Sequence, residues 1–152
     1  MEIKETPDMW VLHVARNLRI PDVREAAAEC APLIERQMDE AGLDAAGPWI
    51  FIAHGLPKDG RTSFDWEICR PVVKPAHYAG AIELRHLQPI LVASKVYQGP
   101  LRSLFTKGYA PLVAEIERSR HGFSGESREI YHDWSGPGAP CRTVEIQFGL
   151  AR

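Results

Sequence analysis

The chain alternates between two rhythms, one of period two and one of helical period, and the pair occurs twice. Met9 to Leu18 is rich in Trp10, Val11, Leu12 and Val14 and reads as a strand ended by Pro21. Val23, Ala26, Ala27, Cys30, Ile34, Met38 and Ala41 then fall at helical spacing up to Gly42. Asp22 with Glu25 three residues on predicts a capping box at the start of this helix, and Pro32 predicts a kink or split inside it. Trp49 to His54 is a short apolar run, Gly55 to Gly60 a turn, and Ser63 to Arg70 a second alternating strand. Residues 71–87 carry Pro71, Pro75 and Gly80 and read as a linker with a short strand at Ala81 to Leu84. The rhythm then restarts. Ile90 to Tyr97 is a strand, and Gly99-Pro100 is a break. Leu101, Leu104, Phe105, Leu112, Val113 and Ile116 form a helical stripe with Pro111 inside it. The chain closes on a hairpin of Arg128 to Trp134 and Thr143 to Phe148, joined by Ser135-Gly136-Pro137-Gly138-Ala139-Pro140. In its last strand Val144, Ile146 and Phe148 share one face, and Thr143, Glu145 and Gln147 share the other.

The two halves also match in register. Pro21 and Pro100 lie 79 residues apart, as do Ala31-Pro32-Leu33-Ile34 and Ala110-Pro111-Leu112-Val113. After one slip the offset is 78, and Gly47 meets Gly125, Ile52 meets Ile130, His54 meets His132, Gly60 meets Gly138, and Glu67-Ile68 meets Glu145-Ile146. The pattern predicts one α+β domain over residues 1–152. It consists of two strand-helix-strand-strand repeats, at about 9–70 and 88–150, around a pseudo-two-fold axis with an antiparallel sheet and a central groove.

Composition excludes several classes. The formal net charge of −2 over 152 residues lacks the basic excess of a general nucleic-acid surface. Cys30, Cys69 and Cys141 form no CxxC pair, which fits reduced thiols and a cytoplasmic setting. The polar start Met1 to Pro7 is unlike a secretory signal, and no run of about 18 apolar residues would span a membrane. The six histidines show no HExxH and no i, i+4 pair, so no metal site is expected. Neither a phosphate loop nor a dinucleotide fingerprint occurs, and no cofactor is expected. Gly122-Phe123-Ser124-Gly125-Glu126 lacks the glycine spacing of a nucleophile elbow.

Three stretches carry a family resemblance: Val96-Tyr97-Gln98-Gly99-Pro100-Leu101-Arg102-Ser103-Leu104, Arg128-Glu129-Ile130-Tyr131-His132, and Val144-Glu145-Ile146-Gln147-Phe148-Gly149-Leu150. Their order and spacing resemble the GyrI-like small-molecule-binding domain, which also forms the effector-binding half of multidrug-responsive transcription activators. The likeness covers about residues 9–151. The closing motif departs from the family's at Val144 and Gly149, where Thr and Pro are usual. The resemblance implies a groove between the two repeats that takes hydrophobic, aromatic or cationic compounds. It also implies two rival functions: hydrolysis of cyclopropane-bearing genotoxins in the same groove, and inhibition of a protein partner such as gyrase. No helix-turn-helix precedes the domain, so a protein acting alone or in trans is expected, without direct nucleic-acid or membrane binding.

On this reading Glu145 supplies the groove's charge, or acts as general base in an enzyme, and Glu67 is its repeat partner. Tyr131 is the foremost ring, a ligand wall or a proton donor in an enzyme. Trp134, Tyr97 and Trp66 are further wall candidates.

Overall fold

A computed structural model of the chain describes residues 1–134 and 142–151; the predicted hairpin connector, Gly138 with it, and Cys141 lie outside the described residues. Eight strands form one antiparallel sheet: β1 (Glu2–Glu5), β2 (Met9–Leu18), β3 (Trp49–His54), β4 (Phe64–Val72), β5 (Glu83–Leu87), β6 (Leu91–Gln98), β7 (Phe123–Tyr131) and β8 (Thr143–Leu150). Their order is β1-β6-β8-β7-β3-β4-β2-β5. This order is symmetric about the β7–β3 junction. Strand, helix and hairpin follow one another as β2, α1 (Val23–Ala41), β3 and β4, and again as β6, α2 (Ala110–Arg118), β7 and β8. The short leading strands cross over: β1 pairs with β6 and β5 with β2.

The connections force the sheet to curl. Glu5 ends β1 at one edge, and Met9 opens β2 six strand spacings away. A flat sheet would set them about 29 Å apart, whereas four residues reach about 14 Å at most. Leu87 to Leu91 makes the mirror-image crossing from β5 to β6. The two connectors meet: Thr6 N donates to the Ile90 carbonyl at 2.9 Å, and Ile90 N donates to Thr6 Oγ1 at 2.9 Å. They lie over the sheet face that carries no helix.

The sheet is therefore buried on both sides. On the outer face Ala27, Cys30 and Ile34 of α1, and Leu112 and Ile116 of α2, pack on Leu12, Trp49, Trp66, Ile68, Val144 and Ile146. On the inner face Val11, Ile50, Ile52, Cys69, Leu87 and Ile130 form a second, smaller core. This explains why the central strand β3 reads as an unbroken apolar run instead of an alternation.

Several local expectations change. β1 was not foreseen; Glu2-Ile3-Lys4-Glu5 is a charged edge strand, the kind that discourages further pairing. β5 begins two residues later than the expected Ala81. Asp22 does not cap α1 through its side chain. Its Oδ2 accepts the Arg19 backbone N–H at 3.2 Å, closing a single 3₁₀ turn, Ile20–Asp22, ahead of the helix. α1 runs unbroken through Pro32. The carbonyl that Pro32 leaves without a donor belongs to Ala28, which is exposed and open to water.

The second stripe is not one α-helix. It comprises a 3₁₀ turn (Leu101–Ser103), a π-helical turn (Leu104–Tyr109) and then α2, with Pro111 in its first turn, where a missing N–H costs no bond. Gly108 fits its bare Cα against the sheet; a Cβ there would come within 2.8 Å of Ile146 Cδ1. β7 starts earlier than expected. A register shift between Phe123 and Ser127 is taken up at Gly125, whose φ of 99° suits glycine.

Candidate functional site

Residues alternate along β7, so Ser127, Glu129 and Tyr131 face outward while Arg128 and Ile130 face inward. The outward set floors a cavity of about 1020 Å³ between α1 and the Leu101–Tyr109 segment. Phe51 and Ala53 of β3 and Trp66 of β4 complete the floor. Val23 and Ala27 form one wall, Leu104, Phe105 and Tyr109 the other, and Trp134 closes an end. Phe51 is the centre of an aromatic cluster, with ring centroids 4.7 Å from Tyr131, 5.2 Å from Trp66 and 5.7 Å from Trp134.

One carboxylate stands in this space, which Arg24 and Arg102 also line without pairing with it. Glu129 is enclosed by protein atoms and only partly exposed, through the cavity that it lines. Tyr131 Oη donates to its Oε1 at 2.5 Å, and Tyr109 Oη donates to its Oε2. Among the described residues no basic side chain pairs with it. Burial raises its pKa, and the two hydroxyl donors only partly oppose this. The same burial, with the carboxylate beside it, pushes the Tyr109 phenol well above its usual range. The Tyr109 hydroxyl therefore remains a donor at neutral pH.

Of the residues singled out in the sequence, Tyr131, Trp134 and Trp66 line this cavity. Tyr97 does not. It packs beneath the second helical segment, and its Oη donates to the Pro100 carbonyl at 2.6 Å. Glu145 and Glu67, expected beside the aromatic rings, lie on the opposite, inner face. The reason is strand parity. Tyr131 pairs with Val144, whose side chain joins the outer core, so the next residue, Glu145, points inward opposite Ile130.

Glu145 is 7% exposed and held by four donors: Lys4 Nζ at 2.8 Å, Ser94 Oγ at 2.7 Å, Gln147 Nε2 at 2.8 Å and His132 Nε2 at 3.1 Å. Burial acts to raise its pKa, but these donors outweigh it and hold the carboxyl at about 2. Glu67 is built alike. His54 Nε2 lies 2.6 Å away, His13 Nδ1 3.2 Å away, and the Arg85 guanidinium completes the group. Burial is again outweighed, and the carboxyl sits at about 2. In each half the histidine thirteen residues before the glutamate reaches it. Both carboxylates are thus satisfied inside the protein and tie strands together.

Glu129 was not singled out in the sequence, although a signal was present. It lies two residues before Tyr131 on one strand, so a ligand-facing Tyr131 implies a ligand-facing Glu129.

Neither a family model nor a curated protein matches the sequence. Solved structures do. The chain superposes on the crystal structure of the EcmrR C-terminal domain with a TM-score of 0.78 at 20% identity, covering 99% of this chain and 96% of that domain. Against EcmrR in its DNA complex the TM-score is 0.77, and the chain spans 57% of that protein's length. SAV2435 bound to tetraphenylphosphonium matches at TM-score 0.64 and 9% identity, covering 99% of this chain and 93% of that one. A hydrolase encoded by lin2189 from Listeria innocua matches at 0.62 and 12%, covering 99% and 91%. The chain therefore has the GyrI-like fold, shared with the EcmrR C-terminal domain.

Proposed function

We propose that the protein binds hydrophobic organic cations in the outer cavity, with Glu129 as the counter-charge. The observation that carries this is a carboxylate in a cavity lined by aromatic rings, bonded by two tyrosine hydroxyls and with no basic partner among the described residues. An ionised carboxylate so placed is poorly compensated, and a cation entering the cavity would restore the balance. Phe51, Trp66, Tyr131 and Trp134 would add cation–π attraction of about 0.5–2 kcal/mol per well-placed ring. A protein of the same fold was solved with tetraphenylphosphonium, a ligand of this kind. The volume suits a ligand of drug size. Trp66 and Trp134 make the test direct: tetraphenylphosphonium should quench tryptophan emission saturably, and a linear, non-saturating response would contradict the reading.

A second reading is hydrolysis of a strained electrophile, such as a cyclopropane-bearing compound, in the same cavity. It is favoured by one feature: a carboxylate with a raised pKa beside two phenols, suited to activating water or passing a proton. Mass-spectrometric detection of many product molecules per protein, lost in Glu129→Gln, would support it; a bound but unaltered compound would leave the binding reading.

A further inference from the structure

The curled sheet encloses a second cavity of about 510 Å³ on its inner face, beneath the Thr6–Ile90 crossing and apart from the outer site. Its side chains have an arrangement that folding alone does not explain. Arg128 lines it and is only 4% exposed. Its Nε donates to Glu126 Oε2 at 2.7 Å, and its two terminal amino groups have no hydrogen-bond partner among the described residues. These amino groups are open to the cavity, and their geometry matches a carboxylate held by two parallel bonds. Three carboxylates also line the cavity: Glu145, held by its four donors, Asp8, bonded to His86 Nε2 at 2.7 Å, and Glu5. Lys74, with Nζ 5.0 Å from the Trp10 ring, adds a second cation at the rim. The remaining wall is apolar, made by Ile50, Ile130, Val72 and Pro71.

We infer that the inner cavity is a second binding site, for a small carboxylate with an aromatic or aliphatic body, anchored on Arg128. The carboxylate occupies the open side of the guanidinium, and the body lies against Ile50 and Ile130. The two faces of one strand then serve opposite charges: Glu129 outward for a cation, Arg128 inward for an anion.

The probe is 2-naphthoate, followed by titration calorimetry on the full chain. Wild type should bind it saturably at one site. Arg128→Gln and the uncharged methyl ester of the probe should each lose at least about tenfold in affinity, the size of a charged hydrogen-bonding partner. Glu129→Gln should bind it as wild type does. Thermal melts check folding. If Arg128→Gln does not fold, Ala46→Trp, on the exposed rim of the cavity, narrows the space and should weaken binding at least about tenfold. Equal binding of acid and ester, loss in Glu129→Gln instead of Arg128→Gln, or no saturable heat with wild type at millimolar probe would overturn the inference.

Discussion

Glu129 faces Phe51 across the junction of β7 and β3, at the centre of the symmetric strand order. The two positions are counterparts in the 78-residue offset, yet one half places a carboxylate there and the other a ring. The cavity thus has one charge at its middle and an aromatic face beside it. This favours ligands with a single positive centre. A bis-cation with widely spaced charges should bind no more tightly than a monocation of equal apolar area, and Phe51→Glu should reverse that order. Competition titrations with mono- and bis-quaternary ligands would check it.

Binding of a cation should depend on pH in one direction. Glu129 has a raised pKa, and only its ionised form attracts the ligand. Affinity should therefore weaken as pH falls through that raised value, and Glu129→Gln should remove the dependence. Tyr109→Phe and Tyr131→Phe each delete a hydroxyl that favours the ionised form, so each should move the transition to higher pH. Fluorescence titrations across the acid-to-neutral range read both effects.

The same group has a consequence for stability. Because folding raises the Glu129 pKa, the folded state holds a proton that the unfolded chain gives up; its ionisation destabilises the fold as pH rises through the folded value. Glu129→Gln should raise Tm near neutral pH and leave it close to wild type in acid. A lower Tm at pH 7 would show that the carboxylate is compensated by something other than the two phenols.

Glu67 and Glu145 have the opposite sign. Both carboxyls are depressed to about 2, so their contribution is present above the unfolded value and is lost as pH falls towards 2. Each network is worth on the order of 2 kcal/mol. Glu67→Gln and Glu145→Gln should lower stability at pH 7 by roughly that amount, with the difference shrinking in acid. His13, raised chiefly by its hydrogen bond to Glu67, adds stability below its ordinary value that fades as pH rises through the raised one. Urea melts at several pH values would separate the two signs.

The elements of the fold were largely legible because their periods are long and clear. β2, β3, β6 and β8 fall within two residues of their expected bounds, and the alternation of Val144, Ile146 and Phe148 correctly separates Glu145 from the core face. What could not be read was which sheet face holds the aromatic cavity. That depends on the Thr6–Ile90 crossing, which curls the sheet and turns the inner face into a second, polar interior; the pairing of a four-residue β1 with β6 leaves no periodic signal. The π-helical turn was hidden for a similar reason. Leu104 and Phe105 keep an apolar stripe whether the turn is α or π, and Gly108 reveals the wide turn only through its contact with Ile146.

The central claim, that Glu129 and not Glu145 supplies the charge for a cationic ligand, is tested by titrating wild type, Glu129→Gln and Glu145→Gln. The ligands are tetraphenylphosphonium and the uncharged triphenylphosphine oxide. Glu129→Gln should weaken the phosphonium by about 1.5–3 kcal/mol, the range for a charged hydrogen-bonding partner, and leave the oxide nearly unchanged. Glu145→Gln, on the other face of the sheet, should leave phosphonium affinity within about twofold, well under 1 kcal/mol. Loss of phosphonium binding in Glu145→Gln with retention in Glu129→Gln would place the cation on the inner face and contradict the account.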